Sequence, residues 1–111
     1  MATGSAPVLE TLAEINGASL ARSELDVQTL LLVRVAALVA TDAPTASYLM
    51  HIEPLVVSDV DLERIQDVLV AVAPIVGAPR VVSAAGKIME ALGVAIAISD
   101  AAAEAEAAAD T

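Results

Sequence analysis

The chain lacks cysteine, tryptophan and phenylalanine, and Tyr48 is its single aromatic residue. The absence of cysteine excludes disulfides, thiolate metal sites and thiol catalysis by this chain. Single-stranded nucleic acids are bound through stacking on aromatic rings, and all nucleic acids through basic charge. With 5 Lys and Arg against 15 Asp and Glu, the net charge is −10. We therefore expect no nucleic-acid partner, and the same charge repels anionic membranes.

The apolar content is high for a chain of this size. A length of 111 residues fits a single domain, and 58% of the residues are hydrophobic, above the ~45–50% that is usual in globular proteins. One small surface cannot hide so many Leu, Val and Ile side chains, so subunit interfaces are the expected place for the surplus. The composition predicts a protein that works as a homo-oligomer.

Targeting and membrane signals are weak. Met1 to Pro7 is small and polar, without the basic start of a signal peptide. The most apolar run, Leu30 to Ala40, contains Arg34 and is too short to span a bilayer. We expect a cytoplasmic protein that does not enter a membrane.

Apolar spacing and capping residues predict five helices and an all-α fold. The first covers Val8 to Arg22, and the second begins after a predicted N-cap at Asp26 and ends near Ala40. The second is apolar in every direction, so it should be buried on nearly all sides. A buried strand is the alternative for this β-branched run, but its length favours a helix.

The remaining three helices follow from proline, glycine and aspartate. Pro44 fits the first turn of the third helix, and Pro54 should kink or end it. Ser58, Asp59 and Asp61 are alternative caps for the fourth helix, and Gly77 is its stop. The fifth begins near Pro79, with Gly93 a candidate interruption and Val94 to Ile98 strand-like when read alone. We thus divide the chain into a disordered N-terminus (1–7), a helical domain (8–99) and an acidic Ala/Glu-rich tail (100–111).

Two blocks of the sequence resemble a known family. LDVQT at 25–29, followed by a buried helix, resembles the L-D-x-x-T-R-E-L-V entry of the carboxymuconolactone decarboxylase family. DLERIQDVL at 61–69 and APIVGAP at 73–79 resemble its E-E-I-x-E-V-L … Y-x-G-x-P stretch. The resemblance covers about Leu25 to Leu92. It implies an alkylhydroperoxidase-like helical bundle whose subunits assemble as trimers or hexamers.

The residues that carry chemistry in this family are mostly replaced. In the alkylhydroperoxidase-like branch, the resemblance places a Cys-x-x-Cys pair near Ala43 and Ala46. It places an Arg–Glu pair on Leu30 and Leu31. Only the histidine near the end of the third helix is kept, as His51. Thiol peroxidase activity is therefore not expected, and no metal or other cofactor is implied.

Three residues are candidates for a site. His51 is either a general acid or base, since imidazole exchanges protons near neutral pH, or a histidine satisfied by Glu53, a carbonyl or water. Arg34 either binds a carboxylate ligand with its planar fork or forms an ion pair with an Asp or Glu. Arg80, at the start of a helix where a cation is locally unfavourable, has either an acidic side chain or an anionic ligand as partner.

Two functions remain open. The first is a catalytically reduced or non-catalytic oligomer that serves as a scaffold or small-molecule-binding subunit, and the four lost polar positions favour it. The alternative is a cofactor-free lyase that decarboxylates a small carboxylated lactone, with His51 as acid or base and Arg34 or Arg80 holding the carboxylate. Whether His51 lines a pocket reached by an arginine distinguishes them.

Overall fold

Five helices account for the architecture of the chain. The computed structural model describes residues 6–109, and the helices are α1 (Ala6–Arg22), α2 (Val27–Ala40), α3 (Thr45–Val57), α4 (Leu62–Val76) and α5 (Ala78–Ala109). Within this described range there is no strand, which confirms the all-α prediction. The strand-like alternatives, including the one at 94–98, are wrong.

Local chemistry sets most helix ends where the sequence predicts them. The Asp26 carboxylate accepts a hydrogen bond from the Thr29 backbone N–H at 3.1 Å and caps α2. Asp61 does the same for α4, accepting from the Arg64 N–H at 3.0 Å. Gly77 ends α4 with a φ of 87°, a conformation that suits glycine. Asp61, rather than Ser58 or Asp59, is therefore the cap of the fourth helix.

Proline and glycine interrupt the helices less than the sequence predicts. Pro44 is the N-cap of α3, one residue before its first turn. Pro54 was predicted to kink or end the third helix. It does not end the helix, because α3 continues to Val57. Ile52 and Leu55, on either side of Pro54, are fully buried, and their packing offsets the backbone hydrogen bond that proline cannot make. Gly93 likewise does not break α5.

The core lies where α3 packs against α5 and α2, with α4 completing the bundle. Its largest fully buried side chains are Tyr48, Ile52, Leu55, Ile65, Val35 and Val39. Leu30 and Leu31, the positions on which the sequence resemblance places an Arg–Glu pair, are 6% and 5% exposed. Both side chains therefore belong to the apolar core of their own chain.

Helices α1 and α2 expose apolar side chains that no other part of the described chain covers. The prediction that α2 is buried on nearly all sides is only partly met, because Val33 is 53% exposed while Val35 and Val39 are fully buried. No residue of α1 is buried, and no Cα of α1 lies within 8 Å of a Cα in another helix. These surfaces stay in solvent in the isolated subunit.

The two predicted terminal segments lie at the ends of α1 and α5. Residues 1–5 of the predicted disordered N-terminus lie outside the described residues, whereas Ala6 and Pro7 belong to α1. The predicted tail continues α5 without a break to Ala109, with exposed side chains over 100–109. By length and composition alone, α5 is long and apolar enough to cross a membrane. Core helices of soluble proteins meet the same test, and Ala84, Ile88 and Ala91 of α5 are buried in the core.

Candidate functional site

Two adjoining cavities lie between α1, α2 and α3. Their volumes are about 260 and 430 Å³. Four residues line both of them, namely Asn16, Arg34, Met50 and His51. The end of α2, the following turn and the first half of α3 separate Arg34 from His51 in the sequence. The packing of α2 against α3 brings both residues to one cavity wall. His51 therefore lines a pocket that an arginine, Arg34, also reaches.

Arg34 is the only charged residue of α2 and is half-buried. Its Nη1 donates a hydrogen bond to Asn16 Oδ1, and its Nη2 donates to Ser19 Oγ at 3.0 Å. Both acceptors are neutral, and among the described residues no carboxylate pairs with Arg34. The predicted ion pair is thus not formed within the described chain. The guanidinium charge is not neutralised within the described chain, and each terminal nitrogen keeps a second hydrogen that can be donated to an anion.

His51 is half-buried on α3, one turn after its hydrogen-bond partner. Its Nδ1 lies 2.7 Å from the backbone carbonyl oxygen of Ser47. A carbonyl oxygen only accepts, so Nδ1 carries the hydrogen and the neutral ring has its lone pair on Nε2. This bond fixes the ring orientation, as expected for a carbonyl-satisfied histidine. Nε2 can still accept a proton or a hydrogen bond, which keeps the acid/base interpretation chemically open.

The other cavity walls are mostly apolar. The larger cavity is lined by Leu12, Ile15, Ala37 and Leu38, and the smaller by Leu20, Val27, Leu31 and Pro54. A cavity of a few hundred Å³ with apolar walls and a few converging polar groups is typical of small-molecule sites. The walls suit a ligand with a small apolar body and one anionic group.

Arg80 lies elsewhere in the molecule. Its Nη1 donates to the carbonyl oxygen of Ala40 in the last turn of α2, where a cation satisfies an orphan carbonyl and favours the helix dipole. Arg80 lines neither cavity beside His51. The structure thus brings Arg34 and His51 together, whereas Arg80 connects α5 to the end of α2.

A second polar cluster stands at the turn between α2 and α3. Asp42 has a φ of 51° and accepts hydrogen bonds from Lys87 Nζ at 3.1 Å and Ser83 Oγ at 3.0 Å. These bonds hold the pKa of the Asp42 carboxyl below its usual value, that from Lys87 contributing most. Lys87 also donates to the Ala43 carbonyl at 2.8 Å. The cluster ties α5 to the turn, and every polar group in it already has a partner.

The two positions near which the sequence resemblance places a cysteine pair, Ala43 and Ala46, lie at this turn and at the start of α3. Ala43 is 8% exposed and Ala46, in the first turn of α3, is exposed. Neither side chain can form a thiolate. No group of three or more His, Asp or Glu residues placed to hold a metal occurs in the described range. The chemistry available at the site is that of one guanidinium, one imidazole and neutral polar groups.

Asn16 and Ser19 are site residues that the sequence analysis did not single out. They hold the guanidinium of Arg34 from α1. One signal was present in the sequence, because asparagine is disfavoured inside helices and Asn16 lies in the interior of α1. Its partner, however, lies 18 residues away on another helix.

Comparison with known proteins agrees with the fold. The model of the carboxymuconolactone decarboxylase family matches residues 6–90, a span that includes α1 as well as the blocks in which the sequence resemblance lies. No curated protein and no solved structure matches the chain. The family match covers most of the chain and ends within α5. This cysteine-free helical chain therefore belongs to the carboxymuconolactone decarboxylase family.

Proposed function

We propose that the chain is a small-molecule-binding subunit of a homo-oligomer, a trimer or hexamer by resemblance to its family, and that its ligand is a small carboxylate. The main observation in support is that Arg34 and His51 both line two adjoining cavities, of about 260 and 430 Å³. Arg34 supplies a positive charge without a carboxylate partner in the described chain. His51 Nε2 supplies one further polar contact, and Leu12, Ile15 and Leu38 surround the apolar part of the ligand.

The charge of the whole chain limits the ligand. A subunit with a net charge of −10 repels anions at long range. Arg34 offsets this at the site for a single carboxylate, whereas a second carboxylate would have no cation beside it. We therefore expect monocarboxylates to bind better than dicarboxylates of similar size.

Binding is tested by titration calorimetry with hexanoate, a carboxylated five-membered lactone and the neutral amide of each. We expect the carboxylates to bind and the amides to bind weakly. Arg34→Gln should weaken carboxylate binding about 10- to 100-fold, because a charge-assisted hydrogen bond is worth about 1.5–3 kcal/mol. Arg80→Gln is the matched control and should bind like the wild type. Equal binding of acid and amide, or full binding by Arg34→Gln, contradicts the proposal.

The alternative is a lyase that removes CO₂ from a carboxylated lactone. Two observations support it: Arg34 and His51 share a pocket, and the Nδ1–H tautomer lets Nε2 of His51 accept a proton from solvent. When the C–C bond to the carboxylate breaks, CO₂ leaves, the electron pair of that bond enters the conjugated system of the lactone, and the protonated Nε2 delivers its proton to carbon. Arg34 opposes it, because a guanidinium that holds the carboxylate stabilises the charge that departing CO₂ must lose, and so stabilises the ground state. Loss of absorbance of an unsaturated carboxylated lactone, abolished in His51→Gln, would establish the lyase over the binding subunit.

A further inference from the structure

The hydrogen bonds between Arg34 and α1 lie at the border between the two cavities. Arg34 donates from Nη1 to Asn16 Oδ1 and from Nη2 to Ser19 Oγ at 3.0 Å. Arg34 and Asn16 line both cavities, together with Met50 and His51 of α3. The guanidinium therefore stands between the cavities and not at the far end of one of them.

The residues that line only one cavity lie on different sides of this border along α1 and α2. Apart from Ser19, which itself holds Arg34, residues of α1 before Asn16 line the larger cavity and a residue after it lines the smaller. In α2, residues after Arg34 line the larger cavity and residues before it line the smaller. The larger cavity is thus lined by Leu12, Ile15, Ala37 and Leu38, and the smaller by Leu20, Val27 and Leu31. Apolar spaces of about 430 and 260 Å³ therefore extend from two sides of the guanidinium.

This arrangement favours one shape of ligand. A straight chain that carries its carboxylate at the end can place its carbons in only one of the two cavities when Arg34 holds the carboxylate. A chain that branches at the carbon next to the carboxylate has two arms and can fill both, so more apolar surface leaves water for the same charged group. Met50 lines both cavities and is 73% exposed. Its long, unbranched side chain can adapt to arms of different size.

We propose that the ligand is a monocarboxylate branched at the carbon next to its carboxylate, with one apolar arm in each cavity. The larger arm lies in the cavity of about 430 Å³. The inference rests on the carboxylate binding of the proposed function and adds the shape of the ligand. Among the residues that line the two cavities, Arg34 is the only arginine or lysine, which matches a single carboxylate at the branch point.

Titration calorimetry with three acids separates the effect of branching from that of length. Pentanoate has one arm, octanoate lengthens this arm by three carbons, and 2-propylpentanoate adds the same three carbons as a second arm. All three are fully ionised at neutral pH. We expect 2-propylpentanoate to bind the wild type at least about tenfold more tightly than pentanoate, because three further carbons leave water. If these two bind equally, the inference is wrong while the proposed function stands. If none of the three acids binds, the proposed function is wrong as well.

Two substitutions that each narrow one cavity locate the second arm. Val27→Phe enlarges a side chain that lines only the smaller cavity, and Ala37→Phe one that lines only the larger. Both positions are exposed, so the core does not have to accommodate the added ring. In Val27→Phe, 2-propylpentanoate should fall to the affinity of pentanoate, whereas octanoate should keep its wild-type affinity. Ala37→Phe is the matched control, in which octanoate should lose affinity. An advantage of the second arm that survives Val27→Phe overturns the inference.

A measurement on the wild type covers the case in which a substitution disturbs the fold. Nuclear Overhauser contacts between the terminal methyl groups of a bound acid and the leucine methyl groups of the walls show which cavity each arm occupies. We expect 2-propylpentanoate to contact both Leu20 and Leu38, each of which lines one cavity only, and octanoate to contact Leu38 alone. Contact of 2-propylpentanoate with just one of these leucines would contradict the two-armed ligand.

Discussion

Replacing Tyr48 by phenylalanine should stabilise this protein. Tyr48 is fully buried, and its hydroxyl has no hydrogen-bond partner in the described part of the chain. A hydroxyl that leaves water without gaining a partner costs about 1–3 kcal/mol. Phenylalanine keeps the ring that packs in the core and removes only this oxygen.

The expected gain follows from these numbers. Removing the unpaired hydroxyl should raise the free energy of unfolding by about 1–2 kcal/mol. This gain lies in the lower part of the range for an unpaired buried hydroxyl, because the core relaxes around the lost oxygen. For a chain of this length, the unfolding entropy converts 1 kcal/mol into roughly 4 °C. Tyr48→Phe should therefore melt about 4–8 °C above the wild type.

A pH profile gives an independent check of the same residue. Burial, and secondarily the Asp42 carboxylate, raise the pKa of the Tyr48 hydroxyl above its usual value. Because the pKa of the hydroxyl is higher in the folded than in the unfolded chain, the unfolded chain loses this proton first as the pH rises. The associated stability is fully present below the unfolded pKa, about 10, and is lost as the pH rises through the folded pKa. The wild type should lose stability above about pH 10, and Tyr48→Phe should lack this component.

The assay is thermal unfolding followed by circular dichroism, at equal protein concentration for all variants because association shifts the melting temperature. Tyr48→Ala is the control for ring packing and should be destabilised by about 3–5 kcal/mol, as for other large-to-small aromatic substitutions. If Tyr48→Phe melts below the wild type, the hydroxyl has a partner, such as a buried water, and the reasoning is refuted.

Three further variants and one activity assay extend these predictions. Asp42→Asn can keep the positive φ but loses the charge. Because the pKa of Asp42 is lowered in the folded state, the charged carboxylate stabilises the fold at pH values above its unfolded pKa. This stabilisation is lost as the pH falls through the folded pKa. In urea unfolding, the stability of Asp42→Asn should therefore fall less steeply than that of the wild type below about pH 4. An unchanged acid profile would show that Lys87 does not act through this carboxylate. Leu31→Glu should unfold the chain rather than only dissociate it, as seen by circular dichroism, because Leu31 is 5% exposed within its own chain. Deleting 103–111 should shift the melting temperature by less than a few degrees, since the side chains over 103–109 are exposed; a larger shift would place the tail against a neighbour. Purified protein should show no dithiol-coupled peroxidase turnover, because the chain has no cysteine, and sustained turnover would require a route without thiols.

The helices could be predicted because the forces that form and end them act over a few residues. Asp26 caps the N–H of Thr29, and Asp61 that of Arg64, each three positions away, and Gly77 adopts a φ that suits glycine. Family membership was also readable from the blocks at 25–29 and 61–79. Pro54 was misjudged because its local cost is offset by the burial of Ile52 and Leu55, which no local pattern reveals.

The site depended on tertiary structure. The sequence presented Arg34, His51 and Arg80 as equal candidates, and only the packing of the helices brought the first two to one cavity and directed the third to the Ala40 carbonyl. Asn16 and Ser19 became site residues only because α1 lies across from α2. Sequence alone determined the residue types, the helices and the exclusion of thiol chemistry, because composition and capping are local properties. Distances between side chains on different helices follow from how apolar faces pack, and that is decided by the whole chain at once.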